Sequence, residues 1–374
     1  MFDWLIVGGG LHGSFAAEAI RRAAPRSTLA VLDDQGPLDA WQRRAAACGM
    51  TYLRSSNAHH LGPRADDLRR FAAEQNFDAA HELGYYRRPS RALFEAHAAR
   101  ALTGIERILD RAEKIERTAS GWRAITVGGA RHDTKRLVLA LGPNAPYRPA
   151  WAAGCEHVYD KDFDAAADPA ARTAVVGGGI TGAQLALRLQ AQDQRVCWVT
   201  RDTPKRADFD SDPCYAGPRC LAPFERTPIE QRSALLCAAR QPGTLPPDVF
   251  ARITAALAAG DIAWRRGTVE TCEQNELGFS DGTPLAADRI ILATGFDHRP
   301  ARGSLLHRCI QEYDLRCDED GHIFMNPSLE AAPGLHLLGR PASLQLGPMA
   351  GNIKGARLAG KRLGDLARAS YRAA

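Results

Sequence analysis

Residues 3–34 read DWLIVGGGLHGSFAAEAIRRAAPRSTLAVLDD. Trp4 to Val7 form an apolar run short enough for a buried strand, and Gly8, Gly10 and Gly13 then spell G-x-G-x-x-G, with Leu11 and His12 inside the turn. Phe15, Ala16, Ala19, Ile20 and Ala23 recur at helical spacing. Thr28 to Leu32 predicts a second strand, closed by the acids Asp33 and Asp34. Strand, glycine turn, helix, strand and acid, in that order, make a βαβ unit that seats a dinucleotide. The glycines let backbone close on a pyrophosphate, the helix N-terminus supplies partial positive charge, and the acid accepts from a ribose hydroxyl.

The same pattern returns further along. TAVVGGGITGAQLALRLQ places Gly177, Gly179 and Gly182, with Thr181 between them, after the strand Thr173–Val176 and before a helix. RLVLALGP, ending at Gly142 and Pro143, is matched by DRIILATGF, in which Thr294 and Gly295 follow the strand. Hairpins are expected around Gly128 and Gly129 and again at Gly282. The chain therefore carries an internal repeat of two nucleotide-binding units. The second unit ends in Thr200 and Arg201 instead of an acid. An acid repels a 2′-phosphate whereas an arginine binds it in bidentate fashion, so NADPH is expected there, read by Arg201 with Lys205 or Arg206 helping. A solvated basic loop is the competing reading of the same residues.

Composition sets the outer limits. The 374 residues suit two or three domains, and a net charge of +5 without a long basic run gives no reason to expect nucleic-acid binding. No apolar run reaches membrane-spanning length, and the first strand starts too close to Met1 for a signal peptide. A cytoplasmic protein with no membrane partner is expected. The nine cysteines are dispersed without a C-x-x-C pair, which predicts no metal site and mostly reduced, buried thiols.

Between the two units the chain is less regular. After Asp33 comes a connection with Pro37 and Trp41, then GMTYLRSSNAHHLGP, where Asn57, His59 and His60 either line a cavity or serve a loop that satisfies its own backbone. Residues 64–83 and Ser90 to Leu102 predict helices, and Gly154 to Phe163 has the character of a linker.

The two fingerprints and the LATGF strand resemble the two-dinucleotide-binding-domain flavoproteins. LATGF at 292–296, EHVYDKDF at 156–163 and the insert from 208 to 253 are similar to the flavin-dependent N-hydroxylating monooxygenases, the lysine/ornithine N-hydroxylase family. The resemblance implies FAD at the first unit, held by Gly8, Gly10, Leu11, His12, Gly13, Asp33, Asp34, Trp41, Gly142, Gly339 and Arg340. It implies NADPH at the second unit, held by Gly177, Gly179, Thr181, Gly182, Arg201, Thr294 and Gly295. The implied activity is oxygen transfer from dioxygen to a nitrogen or other soft nucleophile of a small molecule through a C4a-hydroperoxyflavin. Asn57, His60 and Gln345 are the pocket candidates. The implied fold is α/β with two Rossmann-like domains, the FAD domain taking 1–165 and 297–374 and the NADPH domain 166–296 with an insert at about 203–250.

The sequence departs from that family at two places. Cys214, Tyr215, Ala216 and Gly217 stand where the family's asparagine–glutamate pair meets the amino-acid substrate, and Arg340 follows Gly339 where an aspartate is usual. A helix beginning near Gly351 is expected to aim its N-terminus at the flavin. The disulfide reductases share the layout, but Cys214 and Cys220 are six positions apart and match neither common redox spacing. Electron transfer to another acceptor, such as a small disulfide, and a nucleotide-binding redox sensor remain the alternatives.

Overall fold

The computed structural model describes residues 1–168 and 171–373. Pro169, Ala170 and Ala374, which fall within the domain limits drawn above, lie outside the described residues. The first sheet has eight strands. β1 (Phe2–Val7), β2 (Leu29–Leu32) and β3 (Glu106–Ile108) lie on one side of it, and the hairpin partners β4 (Ala112–Thr118) and β5 (Gly121–Thr126) lead into the long β6 (Arg131–Leu139). The second sheet contains β7 (Glu156–His157), β8 (Arg172–Val176), β9 (Arg195–Thr200), β10 (Ala263–Arg266) and β11 (Arg289–Leu292). The chain then returns to the first sheet with β12 (Glu330–Ala332) and β13 (Leu335–Leu337). The main orders are β12-β13-β6-β1-β2-β3 and β10-β9-β8-β11-β7. Apart from the β12–β13 hairpin these neighbours pair in parallel. Both faces are therefore covered, and continuous apolar runs such as WLIV in β1 and LVL in β6 are what a two-sided burial requires.

Register is what makes the sites. Val7 pairs with Leu32 and Leu139, and Leu139 with Leu337, so Gly8, Asp33, Gly142 and Gly339 follow strands that end at one edge of the first sheet. Val176 pairs with Val199 and Leu292 in the same way, which puts Gly177, Arg201 and Gly295 just past one edge of the second sheet. Ligands of open parallel sheets bind at such carboxyl ends.

Helix α1 (Leu11–Ala23) is buried from His12 to Ile20 because it is sandwiched between the first sheet and the long α7 (Ile353–Ala373). The approach is close: a Cβ on Gly360 would stand 2.8 Å from the Phe15 carbonyl oxygen, and one on Gly364 would stand 3.1 Å from that of Ala19. In the second unit α3 (Ile180–Gln190) takes the place of α1.

Three local expectations change. The helix over 64–83 is confined to Asp67–Glu74, because Asn76 turns left-handed (φ 56°) and Phe77 folds back to the Phe71 ring. The linker over 154–163 contains an edge strand: β7 pairs with β11, and Arg289 clamps the Glu156 carboxylate at 2.8 Å. Cys214 and Cys220 form a disulfide, while Cys48, Cys155, Cys197, Cys237, Cys272, Cys309 and Cys317 stay free. A 3-10 turn over Pro213–Ala216 and the start of α4 (Pro218–Arg226) fold the two Cα atoms to 5.3 Å, which sequence separation alone does not reveal.

Candidate functional site

The glycines of each fingerprint divide into two kinds. A Cβ on Gly13 would lie 1.8 Å from the Gly8 carbonyl oxygen and one on Gly8 would lie 2.3 Å from that of Ala140, so Gly13 serves helix–strand contact and Gly8 the close approach of two strand ends. Gly10, which caps α1, has nothing within 4 Å of its would-be Cβ. That open space, at a helix N-terminus and a sheet edge, is a cradle for a phosphate group. The second unit repeats it: Gly182 and Gly177 are closed by the Gly177 and Ala293 carbonyls at 2.0 and 2.3 Å, and Gly179 is open.

Asp33 faces its own loop. Its carboxylate accepts from the Gly9 amide and, at 2.8 Å, from the Gln35 amide. Beside it lies Arg107, the middle residue of β3. Its Nη2 donates to the Gln35 carbonyl at 2.7 Å and its buried Nε meets no partner. Arg107 was not legible in the sequence, since only the β2–β3 pairing brings it beside Gly9. Asp34 is exposed, and Trp41 packs on Phe94 with ring centroids 5.3 Å apart. His12 is buried and donates from Nε2 to the Ala350 carbonyl at 2.8 Å, and burial pushes its pKa down. Gly142 (φ 77°) borders a small apolar cleft with Leu337, Leu338 and Pro341.

At the second unit Thr200 is buried, and its hydroxyl accepts from the Trp264 indole at 3.0 Å. Arg201 is exposed and has no carboxylate within ion-pair distance among the described residues. Thr200 pairs with Arg266 across β9 and β10, so a second exposed arginine lies next to the first, and only strand register reveals it. The Thr181 hydroxyl meets the Tyr159 hydroxyl at 3.0 Å, and Tyr159 stacks on Phe296 at 5.0 Å. The Thr294 hydroxyl donates to the Tyr147 carbonyl, while the Tyr147 amide donates to the Gly295 carbonyl at 2.9 Å. These bonds tie the outgoing and returning crossings between the sheets together.

A second clasp closes the two halves from the other side. Arg54 donates to the carbonyls of Asp208 (3.0 Å), Thr244 (3.0 Å) and Ala207 (2.9 Å), all in the insert, and Arg88 pairs with Asp248.

The three pocket candidates are held apart by different partners. Asn57 donates its amide to Glu82 at 2.8 Å. His60 is fully buried; its Nδ1 accepts from the Gly62 amide at 3.1 Å and its ring meets His97 edge-on at 5.0 Å. Burial pushes the pKa of both His60 and His97 down to about 4. Gln345 is buried and donates its amide to the Met325 carbonyl. Gly339 is left-handed (φ 82°), and Arg340 donates to Nδ1 of His298 at 2.5 Å while its buried Nε has no partner. A cavity of about 330 Å³ lies between the β4–β5 hairpin and the helix Leu305–Glu312 and shares no residue with either fingerprint.

Two cradles on parallel sheets joined by paired crossings define a two-nucleotide oxidoreductase fold. The chain belongs to the pyridine nucleotide-disulphide oxidoreductase family, whose model matches residues 2–350. No curated protein matches it. Among solved structures it is similar to a flavin monooxygenase mutant from Stenotrophomonas maltophilia, with 22% identity over 99% of this chain and 98% of that one and a TM-score of 0.66. It is also similar to the ornithine N-hydroxylase of Kutzneria sp. 744, described with reduced FAD, NADP+ and L-ornithine, at 15% identity over 99% of each chain and a TM-score of 0.78. A third likeness is to a bacillithiol disulfide reductase from Bacillus cereus, at 16% identity over 99% of each chain and a TM-score of 0.62. No helix among the described residues is long and apolar enough to cross a membrane.

Proposed function

We propose that the protein is an FAD- and NADPH-dependent monooxygenase that hydroxylates a nitrogen or another soft nucleophile of a small molecule. The observation that carries this reading is the pair of open glycines, Gly10 and Gly179, each capping a helix at a sheet edge within one chain. The first cradle, with Asp33, Arg107 and His12 around it, suits FAD. The second, with Arg201 and Arg266, suits the 2′-phosphate of NADPH. The unit that seats FAD takes residues 1–165 and 297–374, with β7, near the end of its first part, pairing into the second sheet. The unit that seats NADPH lies between, with the insert at 203–250.

When bound, FAD supplies hydride acceptance from NADPH and activation of dioxygen. The chain's own residues bind, orient and shield. Tyr147, Thr294 and Gly295 hold the crossings in one arrangement, and Arg54 and Arg88 tie the insert to the first unit. Asn57, His60 and Gln345 are the candidate positioning residues, each held by a hydrogen bond of its own.

The test is a balance sheet of products. Purified protein supplied with FAD, NADPH and a panel of amines and thiols should oxidise NADPH with matching hydroxylated product. Colourless protein that takes up no FAD, or NADPH oxidation yielding only hydrogen peroxide across the panel, would defeat the reading.

One observation favours a second reading. The disulfide Cys214–Cys220 is half-buried in the insert, so electrons could pass to a disulfide instead of dioxygen. In that reaction NADPH and one proton yield NADP+ and two thiols. Two new thiols per chain after anaerobic NADPH addition would support it.

A further inference from the structure

Two sulfurs from distant parts of the chain meet beside the second sheet. Cys155, the residue before β7, donates its thiol to the Cys272 sulfur at 3.7 Å, although 117 positions separate the two in sequence. Both pack on an apolar cluster that covers one face of that sheet, with Ala174 and Val176 from β8, Val199 from β9, and Ile290 and Leu292 from β11.

Each cysteine is held in place independently of the other. The Cys155 amide donates to the Ala152 carbonyl at 3.1 Å, its carbonyl accepts from Arg148, and Arg148 is held in turn by the Asp160 carboxylate at 2.6 Å. Cys272 lies in the strand Val269–Glu273 and pairs across the hairpin with Leu277, so its side chain shares the face of that fully buried leucine. The fold itself presents the two thiols to each other.

A cysteine sealed in a core is an inert small hydrophobe, as Cys48 and Cys309 are here. Cys155 and Cys272 are only half-buried, so a small oxidant in water reaches them. Burial, and then the contact with Cys272, push the Cys155 pKa up to about 12, so Cys155 keeps its proton and Cys272 is the sulfur that reacts first. A disulfide sets its sulfurs about 2.05 Å apart, so the pair has only about 1.7 Å to close, a distance that small side-chain rotations cover.

We propose that Cys155 and Cys272 are a reversible redox pair, which hydrogen peroxide converts to an intramolecular disulfide. The Cys272 sulfur attacks one peroxide oxygen, the O–O bond breaks, and a sulfenic acid forms as the first water leaves. The Cys155 sulfur then attacks the sulfenic sulfur, the S–O bond breaks, and the hydroxyl leaves as a second water with the Cys155 proton. Two thiols thus lose two electrons and two protons, and one hydrogen peroxide becomes two waters. The new bond closes a loop that contains the second fingerprint, the insert and β10, and it ties the outgoing crossing to the hairpin of the second unit. The pair rests on neither reaction proposed above, because the oxidant is peroxide and no nucleotide takes part.

The test uses the whole folded protein. After brief exposure to a small excess of hydrogen peroxide, removal of the peroxide with catalase, unfolding and alkylation, intact mass should show five reactive thiols in place of seven. Peptide mapping without reductant should find Cys155 and Cys272 in one cross-linked peptide, which dithiothreitol separates. Cys272→Ser should keep its six thiols and give no cross-link. In Cys155→Ser the sulfenic acid on Cys272 has no thiol to meet and should be captured by dimedone. Seven thiols surviving in the wild type, or thiols lost as sulfinic acid or to other pairings without that peptide, would overturn the pair.

Discussion

His12, in the first turn of α1, donates to the carbonyl of Ala350 at 2.8 Å and so joins the opening fingerprint to the chain just before α7, 338 residues away. The bond requires a proton on Nε2, while burial pushes the pKa of the ring down, and four other buried histidines are lowered by burial in the same way. Burial holds His59 at about 3 and His60, His97 and His157 at about 4.

Acid should therefore weaken the fold early. Each folded pKa lies below the ordinary histidine value of about 6.5, so the unfolded chain takes up these protons first as pH falls. The stabilising contribution is complete above that value and is lost on descending towards about 4. Each group contributes a slope of up to about 1.4 kcal/mol per pH unit in that window. Urea midpoints at neutral pH and near pH 5 measure it, and His97→Phe should flatten the dependence by one group.

The two kinds of glycine should fail differently. Gly13→Ala places a Cβ 1.8 Å from the Gly8 carbonyl and should destabilise the unit itself. A Cβ on Gly10 meets no protein atom within 4 Å, so Gly10→Val should leave Tm nearly unchanged while abolishing FAD uptake. Flavin absorbance after gel filtration, alongside Tm, separates the two, and flavin retained by Gly10→Val would remove the phosphate from that cradle.

Arg201→Ala should raise KM for NADPH at least tenfold and leave KM for NADH within about twofold, since a bidentate arginine–phosphate pair is among the stronger charge-assisted contacts. Arg266→Ala should do the same more weakly, because its strand lies one place further out. Equal losses with both nucleotides would return Arg201 to the role of a solvated loop residue.

Intact mass before and after thiol alkylation should find seven reactive thiols in unfolded, unreduced protein and nine after reduction. Replacing Cys214 and Cys220 by serine should cost about 2 kcal/mol, the loop-closure entropy of so short a loop. Urea denaturation of the double variant measures it.

Local chemistry wrote a great deal of this molecule into its sequence. Apolar runs bounded by glycine read as strands buried on both faces, and the glycine spacing of 8, 10 and 13 and of 177, 179 and 182 anticipated both helix starts, because those contacts lie within a few residues. The helix Arg91–Ala101 was legible in the helical period of LFEAHAARAL, and in the structure Ser90 caps it, accepting from the Leu93 amide at 3.1 Å. β7 was not, since two residues carry no strand signal until β11 offers an open edge.

The opening stretch, GGGLHG and the acid that follows it, determined by itself that a dinucleotide-binding unit begins the chain. Tertiary structure decided what surrounds that unit. Arg107 comes beside Asp33 through strand pairing, His12 meets Ala350 through the packing of α7 on α1, and Arg357 of α7 grips the loop of His60, Gly62 and Pro63. Short-range spacing encodes a backbone turn, whereas a charge's partner depends on which distant segments the two sheets bring to the same edge.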